Sequence, residues 1–274
     1  MRMTNQPAFR WWLGVVAILA VVGCERVKPT ESSMDVETHI SAAEWQALSQ
    51  RRVVFAHQSV GQNILDGVQS LAVQAGVQLP IVNTRLATRD AGIVHFFVGR
   101  NEDPASKLRD FADALEGGAA AGADIALLKL CYIDFKEETD ARKLAEKYIA
   151  TLDGLSQRFP STSFVAVTAP LTVVQTGPKA WVKRLLGREP AGYRDNARRH
   201  EFNHLLRERY ERRGLLFDLA KIEAEGAGDN QYQGRPLEAL NPALTNDGGH
   251  LTAQGGQVVA ARLVKYLAAL PGPD

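Results

Sequence analysis

Residues 53–68 read VVFAHQSVGQNILDGV, and this stretch indicates both a fold class and a candidate reactive residue. Its first four residues form an apolar run that is typical of a buried strand. The residues after Gly61 repeat apolar side chains at helical spacing, so Ser59 falls at a turn from strand to helix. Ligands of open α/β folds bind at the carboxyl edge of the sheet, beside the N-termini of the helices that follow the strands. Ser59 is therefore a candidate for chemistry.

A second stretch, residues 247–250 with the sequence DGGH, lies just ahead of the last helical pattern of the chain. Asp247 precedes His250 by three residues, so one short loop can present a base together with the carboxylate that orients it. A serine nucleophile, a histidine base and an orienting acid are the groups that serine acyl transfer requires. Structural roles remain open, because serine often caps a helix and Asp247 could cap the last one.

The two stretches resemble the SGNH/GDSL hydrolases, and the resemblance extends over most of the chain after about residue 50. In that family a serine follows the first strand, and an Asp-x-x-His near the C-terminus completes the catalytic triad. The resemblance implies that Ser59, His250 and Asp247 form such a triad on a flavodoxin-like sandwich. Residues 247–256 also resemble the family's last block, which runs into the closing helix.

The chain departs from the family pattern at two positions. Gln58 stands where the aspartate of Gly-Asp-Ser-Leu would be, and Ile133 takes the place of an asparagine that donates to the oxyanion. The resemblance is therefore to a divergent branch. Besides the Ser59 N–H, the candidates for binding the oxyanion or the substrate are Gly99, which resembles the family's second-block glycine, Asn101, Tyr132, Asp134 and His57. For His57 and Asp134 the alternative is a buried hydrogen bond without a role toward substrate.

The N-terminus has the pattern of a targeting segment. Two arginines precede an apolar stretch at residues 11–22, which is shorter than the roughly 20 residues that span a bilayer. Cys24 follows, and the whole resembles a bacterial lipoprotein signal. An ordinary signal peptide or an uncleaved anchor is the alternative. The resemblance implies a signal peptide at residues 1–23, a tether lipidated on Cys24 at residues 24–40, and an SGNH-like domain at residues 41–274.

Glu25 bears on the expected location. In lipoprotein sorting, an aspartate after the lipidated cysteine retains a protein at the inner membrane, and this chain has glutamate there. We therefore expect a domain that is anchored to the cell envelope by lipid and faces the periplasm, with the outer membrane favoured over the inner.

Charge and cysteine content narrow the function classes. The net charge is +1 at pH 7, and no long basic run argues for nucleic acid as a partner. The chain has two cysteines, so with a lipid on Cys24 only Cys131 would remain and no intramolecular disulfide could form. Cys131 follows an apolar run, so we expect a buried, unreactive thiol.

Apolar runs and helical repeats alternate along residues 41–274. We expect strands at residues 53–56, 80–83, 124–130, 163–168 and 215–218, with residues 92–97 forming a strand or a loop. We expect helices at residues 41–48, 63–75, 103–115, 139–158, 195–213 and 252–270. The alternation predicts an α/β three-layer sandwich with a mainly parallel sheet. Right-handed crossovers then place Ser59 and residues 132–134 and 170–172 at one edge of the sheet.

A basic segment, residues 176–199, interrupts this alternation. Its cations are Lys179, Lys183, Arg184, Arg188, Arg194, Arg198 and Arg199, against only Glu189 and Asp195. The segment leaves the carboxyl edge of the sheet, so it could form a basic lid with Trp181 as an apolar contact. Residues 183–186 would also suit a membrane-facing patch. The remaining alternative is an ordinary solvated excursion.

A rival motif lies at residues 200–204, which read HEFNH. Two histidines four residues apart on a helix, with an adjacent glutamate, are the zinc site of a class of metallopeptidases, and Glu223 could supply a third ligand. The predicted helix is rich in arginine, however, and a cationic neighbourhood opposes binding of a dication. We therefore expect no metal here and no cofactor elsewhere.

These observations favour a lipid-anchored serine hydrolase of the SGNH type that acts on an ester. The substrate classes that remain open are O-acetyl groups of envelope polysaccharides, lipid esters and small acyl esters. A noncatalytic binding or assembly lipoprotein on the same fold is the alternative, because a fold does not guarantee an activity.

Overall fold

The computed structural model describes residues 38–88 and 90–271. The expected signal peptide, the lipidation site Cys24 and most of the expected tether lie outside these residues, and the proposed division into segments stays a prediction. Within the described ranges, no helix combines the length and apolar character that crossing a bilayer requires.

A six-stranded parallel sheet forms the middle layer. Its strands are β1 (Arg52–His57), β2 (Ile81–Asn83), β3 (Gly92–Phe97), β4 (Ile125–Leu128), β5 (Ser163–Val167) and β6 (Leu216–Phe217). They are ordered β2-β3-β1-β4-β5-β6, and every neighbouring pair is parallel. Without the edge strand β2, this is the 2-1-3-4-5 order of flavodoxin-like folds, whose ligands bind where the strand order reverses. The reversal lies at β1, the strand that leads into Ser59.

Helices cover both faces of the sheet. They are α1 (Ala42–Ser49), α2 (Ser59–Gln74), α3 (Pro104–Ala114), α4 (Ala141–Arg158), α5 (Gly177–Leu185), α6 (Tyr193–Tyr210), α7 (Leu219–Ala224) and α8 (Ala253–Ala269). A separate antiparallel hairpin pairs β7 (Gln231–Tyr232) with β8 (Arg235–Pro236). The predicted three-layer α/β sandwich is confirmed.

The strands bury both faces with a period of two. Phe55, Leu127 and Val165 belong to one apolar core, which includes α1, α2 and α8. The next residue along each strand, Ala56, Leu128 and Ala166, belongs to a second core with α3, α4 and α6. A strand covered on both sides reads as a continuous apolar run, which is why the sequence pattern reveals these strands.

Several local expectations require correction. Of the two alternatives for residues 92–97, the structure has the strand, β3, which pairs with β1 along its whole length. Helices α5 and α7 and the β7–β8 hairpin are additions to the expected elements. Ala180 is the single buried residue of α5, so this helix has no apolar stripe facing the core. Asp247 does not cap the last helix, because the side chain of Thr252 accepts the Gly255 N–H and caps α8 instead.

Two glycines let α2 and α8 pack backbone against backbone. A Cβ on Gly67 would lie 2.4 Å from the carbonyl oxygen of Gly256, and a Cβ on Gly256 would lie 2.5 Å from the carbonyl oxygen of Asn63. No side chain fits at either position without separating the helices. Because α2 begins at Ser59 and α8 follows the loop that ends at His250, this contact sets the separation of the two predicted catalytic residues.

Alanine favours a helix more than glycine does, yet replacing Gly67 by alanine should destabilise the protein. Overpacking of the α2–α8 contact should lower the free energy of unfolding by about 1–3 kcal/mol. The control is Gly154→Ala in α4, where a Cβ would meet nothing within 4 Å. That change should raise the free energy of unfolding by up to about 1 kcal/mol. Urea unfolding of both variants measures the contrast, and equal effects would show that the glycine contact is not tight.

Candidate active site

Ser59 lies at the turn between β1 and α2, with its hydroxyl free of any capping role. It is the first residue of α2, and the N-cap position is taken by Gln58, whose side chain makes no capping hydrogen bond. The Oγ of Ser59 lies 2.9 Å from Nε2 of His250. The structure thus brings together two side chains that are 191 residues apart in the sequence.

Asp247 orients the other side of the imidazole. Nδ1 of His250 lies 2.7 Å from Oδ2 of Asp247, and a carboxylate beside a ring nitrogen selects the tautomer with the proton on Nδ1. Nε2 is then the acceptor for the Ser59 hydroxyl proton. The other oxygen of Asp247 accepts the N–H groups of Gly249 and His250 at 2.9 and 2.8 Å. Hydrogen bonds from the Gly249 backbone, the His250 ring and the His250 backbone hold the pKa of Asp247 far below its usual value.

Two neighbouring loops support the loop at residues 247–250. The Tyr132 ring, after β4, meets the His250 ring edge-on at 5.5 Å between centroids. Any Cβ at position 249 would lie 2.8 Å from the Tyr132 ring, so only glycine permits this approach. After β5, the N–H of Val173 donates to the carbonyl of Gly248 at 2.9 Å. Tyr132 thus packs against the loop at residues 247–250, and its expected role in binding substrate stays a prediction.

Arg199 connects the loops that follow β4 and β5 through hydrogen bonds to both. Its side chain is buried, and Nε and Nη2 donate to the Tyr132 carbonyl at 3.2 and 2.8 Å. Nη1 donates to Oγ1 of Thr172 at 2.9 Å. Burial lowers the pKa of Arg199 to about 10, so it stays charged at neutral pH. Arg199 is one of the cations of the basic segment, yet its helical spacing to Phe202, Leu206 and Tyr210 marks the buried face of α6.

Gly99 does not offer a free N–H. Its amide donates to Oδ2 of Asp110 at 2.7 Å, and Arg85 holds that carboxylate through two hydrogen bonds of 2.7 and 2.9 Å. The Gly99 N–H, expected to be an oxyanion donor, is thus occupied by a carboxylate in this structure. Gln58, the residue in place of the family's aspartate, donates from Nε2 to the carbonyl of Val98 in the same loop.

Two candidate oxyanion donors, the Ser59 N–H and the Asn101 side-chain amide, are unpaired within the described residues. The backbone N–H of Ser59 lies at the N-terminus of α2 and donates to no protein group there. Asn101 is exposed, and its Oδ1 accepts from Nζ of Lys107 at 3.3 Å, which leaves the Nδ2 donors without a protein partner. Both were expected to be candidate oxyanion donors.

Asp134 forms a buried ion pair instead of facing a substrate. Each of its oxygens lies 2.7 Å from Nζ of Lys107, and both side chains are fully buried. The carboxylate also accepts the N–H groups of Glu102 and Cys131 at 3.0 and 2.8 Å. Of the two roles left open for Asp134, the buried hydrogen bond is the one present. It joins the loops that follow β3 and β4.

His57 is likewise a core residue. It is fully buried, its Nδ1 lies 2.8 Å from the Gln58 carbonyl, and its Nε2 lies 3.0 Å from Nδ1 of His95. Burial lowers the pKa of His57 to about 3. A neutral His57 donates from Nδ1 and accepts at Nε2, so both nitrogens are satisfied within the protein and neither is directed at a substrate.

The HEFNH segment does not assemble a metal site in the described part of the chain. The buried face of α6 includes Phe202 and Asn203, which leaves the two histidines of the motif on the remaining surface. His200 lies 3.7 Å from Glu238, and His204 lies 3.5 Å from Glu208. Among the described residues, no group of three histidine, cysteine or acidic side chains could hold a metal ion.

Glu223, the suggested third zinc ligand, is buried below the loop after β5. Its Oε2 accepts the Leu171 N–H at 2.6 Å, and its Oε1 has no partner. Desolvation raises its pKa to about 8, with Lys129 and Arg199 acting in the opposite direction. Lys129 is also fully buried, and its Nζ donates to the Leu130 carbonyl at 3.0 Å.

Comparisons with known proteins add the following. No protein-family model matches the chain, and no curated protein matches it. A protein of Parabacteroides merdae described as a GDSL-like lipase aligns at 13% identity over 80% of this chain and 97% of its own, with a TM-score of 0.48. A psychrotrophic esterase from Pseudoalteromonas sp. aligns at 11% identity over 78% and 94%, with a TM-score of 0.44.

A third aligned structure is the periplasmic domain of a lipopolysaccharide acetyltransferase from Salmonella ser. Paratyphi A. Its identity is 11%, the alignment covers 81% of this chain and 86% of that domain, and the TM-score is 0.42. At these identities no residue role can be transferred, so the function depends on the geometry of the site.

Arg199→Lys should loosen the loop at residues 247–250 while keeping a positive charge. A lysine cannot supply the three directions of hydrogen bonding that Arg199 uses, so the free energy of unfolding should fall by about 3 kcal/mol. Amide exchange at Gly249 and His250 should become faster. The control is Arg198→Lys, a half-exposed neighbour whose guanidinium bonds the Glu137 carbonyl and lies 3.5 Å from the Glu201 carboxylate at the surface. This change should alter stability by less than about 1 kcal/mol. Unchanged exchange at Gly249 would contradict a supporting role for Arg199.

Glu223→Gln should change how stability depends on pH. In the unfolded chain the carboxyl ionises above its ordinary pKa of 4.5, whereas the folded carboxyl keeps its proton up to a pKa of about 8. The folded state therefore binds more protons in this window, and stability should fall as the pH rises from 4.5 to 8. A glutamine cannot ionise, so the variant should lose this slope. Unfolding free energies measured across the window test the point, and parallel curves for the two proteins would refute it.

Proposed function

We propose that this protein is a serine hydrolase of the SGNH type that cleaves an ester. The observation that carries the proposal is the chain of contacts from Ser59 Oγ to His250 Nε2 at 2.9 Å and from His250 Nδ1 to Asp247 at 2.7 Å. These distances are within hydrogen-bonding range, as a nucleophile, its general base and the orienting acid require. The three residues lie at the edge of the sheet where open α/β folds bind ligands.

The geometry supports a two-step acyl transfer. Ser59 Oγ attacks the carbonyl carbon of the ester while His250 Nε2 takes the hydroxyl proton. Asp247 holds the imidazole and stabilises its positive charge. The tetrahedral intermediate then collapses, the alcohol leaves with the proton from His250, and Ser59 stays acylated. Water, deprotonated by the same nitrogen, attacks the acyl group, and the carboxylic acid departs as Ser59 regains its proton. No cofactor enters either step.

The developing oxyanion needs donors that are in place beforehand. The Ser59 N–H suits this role because it is unpaired and lies at the positive end of the α2 dipole. Asn101 Nδ2 is our second candidate, replacing the side-chain donor that is lost where Ile133 stands. Gly99 would contribute only if Asp110 released its amide.

The exposure of the triad bears on the substrate. The side chains of His250 and Asp247 are both more than a third exposed, so the reacting groups are open to solvent. An open site suits a short acyl group on a large carrier better than a long acyl chain that must be buried. We propose an acetyl or other short acyl ester carried by an envelope polysaccharide or lipid. The proposed location is the periplasmic side of the cell envelope, anchored through Cys24, with the outer membrane favoured.

Ser59→Ala should abolish hydrolysis of p-nitrophenyl acetate, with a loss of at least about 10³-fold in kcat. Asp247→Asn should lose about 10³–10⁴-fold, because the imidazole would no longer be held in the required tautomer. The matched control is Ser70→Ala on the same helix, whose hydroxyl contacts only glutamine side chains.

The measurement is initial ester hydrolysis by purified parent and variants, with folding checked by circular dichroism. If the folded parent has no activity above background and binds acetylated polysaccharide equally with or without Ser59, the noncatalytic alternative holds.

A further inference from the structure

Helix α5 turns its apolar side away from the protein. Trp181, Leu185 and Leu186 are 64%, 70% and 66% exposed, and Val182 is 46% exposed. These four residues are half of the large apolar side chains that are exposed in the described part of the chain. We call them the apolar ridge. A contiguous patch of this kind is unusual on a soluble surface and marks a binding surface.

The orientation of α5 explains the ridge. Ala180 is the single buried residue of the helix, so α5 rests on the body through one small side chain. At about 100° per residue, Trp181, Val182 and Leu185 fall on the side opposite Ala180. The hydrophobic residues of α5 therefore contribute nothing to the core, and their exposure requires another explanation.

Cations flank the ridge, and acids are absent from it. Residues 177–188 carry Lys179, Lys183, Arg184 and Arg188 and no carboxylate. Lys183 donates to the neutral side chain of Gln175 at 2.7 Å, and Arg184 lies over the Tyr193 ring at 5.2 Å. These partners do not neutralise the charges. On the helix, the lysines lie to one side of the ridge and Arg184 to the other.

We propose that α5 is an interfacial helix that docks on a membrane surface rich in anionic phospholipid. The ridge would enter the boundary between headgroups and acyl chains, where tryptophan is favoured, while the cations meet phosphate groups. A second copy of the chain fits poorly, because facing ridges would bring like charges together. An anionic polymer would satisfy the cations but leave the ridge exposed. The proposal is independent of the hydrolase activity and of the lipid on Cys24.

The test uses the full chain with Cys24→Ser, so that no lipid contributes, and follows quenching of Trp181 by brominated phosphatidylcholine. The difference between this protein and its Trp181→Phe variant isolates the signal of one tryptophan, whatever residues 11–22 do. We expect Trp181 to be quenched in vesicles that also contain phosphatidylglycerol and to be unquenched in vesicles without it. Because the readout is local, it reports contact of α5 with lipid directly.

Charge dependence is tested with two matched triple variants. The first combines Lys179→Gln, Lys183→Gln and Arg184→Gln. It should raise the concentration of anionic vesicles that half-quenches Trp181 by roughly fivefold for each charge removed. Arg142→Gln, Lys143→Gln and Lys147→Gln remove the same charge from the exposed surface of α4 and should have little effect. None of the six residues belongs to either apolar core, and circular dichroism of both triple variants checks that they fold.

Three results would overturn the proposal. One is the absence of Trp181 quenching in anionic vesicles. Another is equal loss in the α4 triple variant, which would reduce the effect to net charge. The third is protection of Trp181 from soluble iodide before vesicles are added, because a second copy or the N-terminal segment would then already cover the ridge.

Discussion

The close approach of α2 and α8 is the constraint on which the proposed site depends. Gly67 and Gly256 let the two helix backbones touch; Ser59 is the first residue of α2, and His250 lies in the loop that precedes α8. The helices lie on the same face of the sheet and share one apolar core with β1. Packing in that core therefore sets a distance between two side chains at its edge. The contact between Ser59 and His250, which spans most of the chain, is stabilised by burial of apolar surface rather than by its own hydrogen bond.

A second constraint operates at the carboxyl edge of the sheet, where the loops turn back over the core. Buried loops must pair their backbone groups, and here buried polar side chains supply the partners. Asp134 and Lys107 join the loops after β3 and β4, while Arg199 joins those after β4 and β5. Burial of such charges costs free energy unless each one is paired and hydrogen-bonded. These buried hydrogen bonds hold in place the loops against which the loop with His250 packs.

The departures from the SGNH pattern have structural consequences of their own. Ile133 removes a side-chain donor, and Asp110 takes the Gly99 amide, so fewer preorganised donors face the carbonyl oxygen than the family pattern implies. The proposed oxyanion site then relies on Ser59 and Asn101. An open triad and an outward apolar ridge on α5 fit a protein that works on substrates presented at a surface. In that arrangement, docking can supply the positioning that a deep pocket supplies elsewhere.

The sequence periodicity and the order of elements along the chain determined the fold class. The DGGH loop and the serine at the strand end identified Ser59, Asp247 and His250 as the proposed triad. These inferences succeed because strand and helix periods, turn residues and chain order are local properties.

The roles of Gly99, Asp134 and His57 were decided only by tertiary structure, because each depends on a partner distant in sequence or on burial that no local pattern records. Arg199 is the clearest case: as a sequence it was one cation among seven, and its burial beneath Tyr132 gives it a separate function. The sequence analysis did not predict helix α5. Only the tertiary structure shows that its apolar residues face outward, because the sequence alone cannot tell an exposed stripe from a buried one.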